Sequence, residues 1–215
     1  MKLALGMIVK KGEPWYPLFK DKMKAFDNFY FTEDTTLGIS NIANLRNSVI
    51  AKAENGQEDW ILFLDADEMM FDLDIDILKG EMLACGKTTI SLPRVEFVKD
   101  FNHYDPTLYP DYQGRAFKLR MGYHFRNSIH EILYKNREEK SCFERGYFFN
   151  SSVPIYHYGR CKDLANVTLR YVNYDKILQG QPQLTELPAG YPVSADTLYK
   201  NIQLYTKDHP AKGLV

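Results

Sequence analysis

The chain has 215 residues, enough for one domain with a substantial buried core and not so many that two independent folds are required. Its 27 Lys and Arg against 28 Asp and Glu leave a net charge of -1, so it lacks the basic field that draws in nucleic acid, and no apolar run reaches the ~20 residues of a membrane-spanning helix. Three cysteines, Cys85, Cys142 and Cys161, form neither an even framework nor a metal-type pair, which points away from disulfides and zinc and toward a reducing, cytoplasmic setting with any membrane association peripheral.

Leu3 to Val9 is an apolar run bounded by Lys10, Lys11, Gly12 and Pro14, the pattern of a short buried strand; it lacks the small-residue cleavage site of a signal peptide. After Pro17, Leu18, Phe19, Met23 and Phe26 recur at helical spacing, and Phe29-Tyr30-Phe31 predicts a second strand ending at Thr32-Glu33-Asp34-Thr35. From Ser40 to Glu54 the apolar face Ile42, Leu45, Val49, Ile50, Ala53 predicts a helix, with Ser40 or Asn41 as N-cap and Gly56 as the stop. Trp60 to Leu64 is continuously apolar and suits a central strand covered on both faces, ending abruptly in Asp65-Ala66-Asp67-Glu68. Alternating strands and helices predict an α/β chain with a largely parallel first sheet half flanked by helices. Its ligand site is expected beyond the carboxyl ends of the strands, so that Glu33/Asp34 and Asp65/Asp67 open onto one crevice.

Further on, Thr88 to Leu92, Ala116 to Leu119 and Ile129 to Tyr134 read as shorter strands among Pro-, Gly- and Asp-containing loops, which makes the sheet mixed. Val153 to Tyr158 is another strand, leading through Gly159 into a polar helix from Leu164 to Leu178. Gly180, Pro182, Pro188, Gly190 and Pro192 then mark a loop before a weak helical stretch from Asp196 to Tyr205. This divides the chain into a core at 1–163 and a C-terminal helical appendage at 164–215.

Asp65 and Asp67 stand two apart, so strand geometry continued through them would put both carboxylates on one face, able to share a cation. A hard divalent ion such as Mg2+ or Mn2+ takes oxygen ligands and completes its shell with water and substrate phosphates, so one or two carboxylates suffice. The plainer reading is a solvated turn; the directly preceding buried strand and the third acid Glu68 favour the site. Asp72, Asp74 and Asp76 lack the glycine and downstream glutamate of a calcium loop and read as a solvated loop or a helix start.

The segment Trp60-Ile-Leu-Phe-Leu-Asp-Ala-Asp-Glu68 resembles the metal-binding segment of family 2 glycosyltransferases, and Leu45-Arg46-Asn47 resembles their small-Arg-Asn helix element. Leu92-Pro93-Arg94, Gly114-Arg115-Ala116-Phe117-Lys118, Ser128-Ile129-His130-Glu131 and His157-Tyr158-Gly159 follow in the order seen in bacterial lipopolysaccharide-core-type members, over roughly residues 3 to 175. The resemblance implies a GT-A (Rossmann-like) fold, a nucleotide-sugar donor that is usually a UDP-sugar, and inversion at the anomeric carbon; whether the acceptor is a glycan, lipid-linked or a protein stays open. On this reading Met7 to Val9, Glu33 and Asp34 line the nucleoside pocket, and Asp65 and Asp67 hold Mn2+ or Mg2+ against the diphosphate with His157 as a further ligand. Glu33-Asp34-Thr35-Thr36-Leu37-Gly38 departs from the Gly-Ser-Asp-Gly-like loop of the family, which leaves the nucleotide open.

Arg46, through its planar fork of donors, is a candidate for phosphate, and Arg94 and Arg115 for positioning phosphate or acceptor. Inverting transfer needs one base for the acceptor hydroxyl. Glu131 is the first candidate, His130 the second and Glu68 the third; neighbours in a strand point oppositely, so His130 and Glu131 would not both serve. Two rivals remain. Leu62-Phe63-Leu64-Asp65-Ala66-Asp67 superficially matches an aspartate-nucleophile phosphatase, although Glu68-Met69 replaces the expected hydroxyl-rich turn, and a fold that kept binding without chemistry would be a nucleotide-sugar or carbohydrate module.

Overall fold

A computed structural model describes residues 1–11, 13, 16–17, 21, 23–34, 42–127, 131–161, 164–179, 181–182, 184, 186–189 and 201–211. In chain order the elements are β1 (Leu3–Lys10), β2 (Asn28–Asp34), α1 (Ile42–Glu54), β3 (Trp60–Asp65), β4 (Glu68–Met69), α2 (Asp72–Ala84), β5 (Thr89–Val98), β6 (His103–Tyr104), a 3-10 turn (Pro106–Leu108), β7 (Asp111–Lys118), β8 (Tyr123–Arg126), β9 (Ile132–Lys135), β10 (Phe148–Asn150), β11 (Ile155–Arg160), α3 (Leu164–Leu178) and β12 (Gln203–Leu204).

The main sheet runs β12-β6-β5-β7-β3-β1-β2, with β10 and β11 on the far side of β5 and β4 on β11; β8 and β9 form a separate hairpin. β1 is parallel to both β2 and β3, while β7 is antiparallel to β3 and β5 antiparallel to β7. The expected mixed α/β sheet with a parallel N-terminal half is therefore present. The chain leaves β1 toward β2 and returns through α1 to β3 on the other side of β1. Such a reversal is where open α/β sheets place a ligand crevice, here at the carboxyl ends of β1 and β3, where Ile8 lies in register with Asp65.

Alternation along the strands divides the core in two. Leu3, Leu5, Met7, Val9, Trp60, Leu62 and Leu64 pack with Ile75, Leu78 and Met82 of α2. Ala4, Ile61 and Phe63 face the other way, onto Ala43, Val49, Ile50 and Ala53 of α1 and onto Phe117, Phe125 and Leu133. Gly6 lies opposite Phe63 in register, and a Cβ there would sit 2.8 Å from Ile61 Cδ1 and 3.0 Å from Phe63 Cε1, so the missing side chain makes room for the ring.

Several expectations are adjusted. The buried stripe of α1 is Ala43, Arg46, Val49, Ile50 and Ala53. Ile42 and Leu45 are half-buried, and an arginine occupies the core-facing face in their place. Asp72 and Asp74 form the first turn of a 13-residue helix, α2, held by Ile75, Leu78 and Met82. In the stretch from 196 to 205, Gln203–Leu204 is a strand antiparallel to β6. Beyond it, Tyr205 meets Phe97 with ring centroids 5.0 Å apart and Ala211 is buried, so this end of the chain joins the sheet and core. Leu18, Phe19, Ser40 and Asn41 lie outside the described residues. The three cysteines are free thiols, and no described helix is long and apolar enough to cross a membrane.

Phe63 has no exposed surface and touches Phe117 and Phe125 at ring-centroid distances of 6.0 and 5.4 Å. Phe63→Ala is expected to lower unfolding free energy by about 3–5 kcal/mol, read from urea denaturation with an unchanged slope.

Candidate active site

β3 ends at Asp65, and Ala66-Asp67 form a turn before β4. The strand geometry that would have aligned the two acids stops at the first, and their carboxylates find separate partners. Asp65 Oδ1 accepts from Arg46 Nη2 at 2.8 Å and Oδ2 from Arg115 Nη2 at 2.9 Å. Burial works against its charge, but the Arg115 and Arg46 guanidiniums outweigh it and hold the carboxyl well below the usual carboxylate range. An anion so stabilised, with both oxygens occupied, is a poor nucleophile, which weighs against the phosphatase reading.

Arg46 comes from the buried stripe of α1. Its guanidinium carbon lies 5.3 Å from the ring centroids of both Phe63 and Phe125, within cation–π range, and its Nε donates to Glu131 Oε1 at 2.8 Å. The next residue, Asn47, donates to the Phe125 carbonyl at 2.9 Å and accepts from the Phe125 amide at 2.7 Å. The Arg-Asn pair thus performs two tasks from one helical turn, gripping Asp65 and Glu131 and tethering β8, whose hairpin partner β9 follows Glu131.

Arg115 is aimed by a β-bulge. Ile90 pairs with Ala116 and the next residue, Ser91, with Gly114, so Arg115 is the extra residue on β7. Its Nη2 also bonds Glu68 Oε1 at 3.0 Å. Gly114 before it has no room for a side chain, since a Cβ would lie 2.6 Å from Phe148 Cζ.

Asp67 faces the other way, onto β11. Its Oδ1 is 3.4 Å from His157 Nε2, and its carbonyl accepts from the Tyr158 amide at 2.8 Å. His157 Nδ1 bonds Glu96 Oε2 at 2.7 Å. Burial disfavours charge on this ring, yet Asp67 and Glu96 together push it up to about 10. Glu96 is held below its ordinary value against burial by His157, Arg94 and Arg160. Arg94 links the two halves, with Nη2 on Asp111 at 2.7 Å, Nε 3.5 Å from Glu96 and Nη1 3.8 Å from Glu68.

Asp67 and His157 are the residues whose spacing suits a shared cation, because ~2.1 Å bonds place neighbouring ligands of an octahedral shell ~3.0 Å apart. The ring would have to give up its Nε2 proton. Among the described residues no group of three or more His, Cys, Asp and Glu could hold a metal ion, so water and phosphate would have to complete such a shell.

Glu68 has no exposed surface; Oε1 accepts from Arg115 and Oε2 from the Asp65 amide at 2.8 Å. Burial raises its carboxyl above the ordinary value, Arg115 pulling it back and the Asp65 charge pushing it further. It braces the turn. Glu131 is 13% exposed beside Arg46, whereas His130 lies outside the described residues. The nucleoside-pocket expectation needs correction at Met7 and Val9. Both side chains are in the core, and by alternation Ile8 between them is the half-buried one beside Asp65. Glu33 is exposed and Asp34 half-buried at the end of β2, on the same sheet end as Asp65 but separated from it by β1, or about 10 Å of sheet. Sequence reading missed Glu96, and the signal for it was Arg94 and Glu96 at strand spacing, two charges on one face of an otherwise buried strand.

No protein-family model matches the chain, and no curated protein matches it by sequence. Among solved structures, TarS of S. aureus is similar at 10% identity and a TM-score of 0.44, over 83% of this chain and 40% of TarS. TarS 1-349 in complex with UDP-GlcNAc aligns at 11% identity and a TM-score of 0.34, over 47% of this chain and 36% of that one. TarS 1-349 alone gives the same identity and score over 47% and 37%. The chain therefore spans well under half the length of these structures, and likeness at these scores carries no functional inference.

Arg46 is 8% exposed and pairs with two carboxylates, Asp65 and Glu131. Arg46→Ala is expected to cost about 2–4 kcal/mol of stability, toward the low side for a buried pair because Asp65 is 38% exposed. Arg46→Lys should recover less than half of that in the same denaturation experiment, since one ammonium cannot reproduce the fork.

Proposed function

We propose that the chain is a glycosyltransferase of the GT-A type that moves a sugar, with inversion, from a nucleoside-diphosphate donor, a UDP-sugar by preference, to an acceptor hydroxyl. The observation that carries this reading is the turn after β3, where Arg46 and Arg115 grip Asp65 while Asp67, two residues on, pairs with His157. One group supplies the donors that a diphosphate needs, and the other has the ligand chemistry of a hard cation.

The charge balance explains why a metal belongs in the proposal. Arg46, Arg94, Arg115 and Arg160 are each already matched by a carboxylate, so the resting cluster has no surplus positive charge to offer a diphosphate. Mn2+ or Mg2+ at Asp67 and His157 would supply that charge and assist departure of the diphosphate. The chain's own residues then have separate tasks. Asp65 holds the two guanidiniums in fixed orientation, Glu68 fixes the turn that carries Asp67, and Glu131, oriented through Arg46 Nε, is the base for the acceptor proton.

A thermal-shift panel of nucleoside diphosphates with Mn2+ or with excess chelator tests the donor. UDP with Mn2+ at a hundredfold its Kd should add about 2.7 kcal/mol, a rise in Tm of roughly 5–10 °C for a chain of this size. Absence of any shift with every nucleoside diphosphate would remove the proposal, and an equal shift in chelator would remove the metal from it. Glu131→Gln should leave that shift unchanged while slowing UDP release from the active UDP-sugar by about 10²–10⁴-fold. Undiminished turnover would take the base role away from Glu131.

A further inference from the structure

Glu96 sits on β5, in register opposite His157 on β11, and its side chain is 3% exposed. A carboxylate so deep in a protein is costly unless it is paired and hydrogen-bonded, and here it has His157, Arg94 and Arg160 as side-chain partners. Oε2 accepts from His157 Nδ1 at 2.7 Å and lies 3.5 Å from Arg94 Nε, while Oε1 lies 3.2 Å from Arg160 Nε. A β-bulge between His157 and Arg160, an extra residue on β11, is what returns Arg160 to the same carboxylate.

We propose that Glu96 is the positioning residue for His157. It takes the Nδ1–H, so that Nε2 is the nitrogen turned to Asp67, and it fixes the plane of the ring by being clamped itself between Arg94 and Arg160. An imidazole held at one nitrogen by a carboxylate presents the other in a single tautomer and orientation, the arrangement that supports ligation of a cation. The identity of that cation rests on the glycosyltransferase reading; the ring geometry does not.

The test compares wild type with Glu96→Gln and Arg160→Gln by two readouts, neither of them activity. Free Mn2+ is titrated by electron paramagnetic resonance in the presence of UDP, and the low-field Nδ1–H proton resonance of His157 is recorded in metal-free protein. Glu96→Gln should weaken Mn2+ binding by about 10–100-fold and remove the N–H resonance, and Arg160→Gln should weaken Mn2+ binding by a smaller factor. Mn2+ affinity of Glu96→Gln within about twofold of wild type, at an unchanged Tm shift with UDP, overturns the assignment. Should wild type bind no Mn2+, the metal reading fails by itself and the resonance decides: its persistence in Glu96→Gln overturns the role of Glu96, and its loss supports it. Should Glu96→Gln fail to unfold cooperatively, Arg160→Gln decides, an unchanged Mn2+ affinity counting against the clamp.

Discussion

The site is organised by one carboxylate held between two guanidiniums. Asp65, at the last position of β3, ties α1 through Arg46 and β7 through Arg115. Those are the elements flanking β3 above the sheet and beside it. Buried ion pairs of this kind add little net stability over a well-packed apolar alternative, because desolvation consumes most of the Coulomb gain. They do penalise any arrangement in which a partner is missing. The cluster accordingly specifies where α1, β3 and β7 sit relative to one another more than it strengthens the fold.

That specification is coupled to the apolar core through Arg46. Its guanidinium lies against Phe63 and Phe125, and the room for Phe63 comes from the absence of a side chain at Gly6. The strand core thus packs against the arginine, which in turn holds Asp65 at the end of β3 and Glu131 just before β9. The second half of the site, Asp67 with His157 and Glu96, is supported separately by β4, β5 and β11. Arg94 bridges the halves through Glu68 and Glu96. Orientation of groups that would face a charged ligand is thus set before any ligand arrives, which lowers the reorganisation cost of binding.

Local patterning was enough to read β1, β3, α1 and the parallel half of the sheet, because a continuous apolar run and a 3.6-residue stripe leave few alternatives. The acidic turn was legible for the same reason, following as it does a strand buried on both faces. What failed were inferences that needed backbone detail. Met7 and Val9 end a strand, yet period-two alternation sends both inward. Asp65 and Asp67 stand two apart, yet the strand stops between them. α2 was read no further than a solvated loop or a helix start at Asp72, Asp74 and Asp76, although Ile75, Leu78 and Met82 carry the helical spacing. The Glu96–His157 contact spans 61 residues, and no local pattern encodes a pairing at that distance.

The bulge on β7 gives the site a sensitivity that composition alone would not show. Because Ile90 and Ser91 are consecutive while Ala116 and Gly114 are not, the guanidinium of Arg115 points at Asp65 by virtue of a count of residues, not of their kind. Deleting one position there would restore a regular ladder and leave every remaining amino acid chemically intact, but the strand would lose the extra residue that now aims at the carboxylate. Variation in this strand is therefore constrained in length as well as in identity.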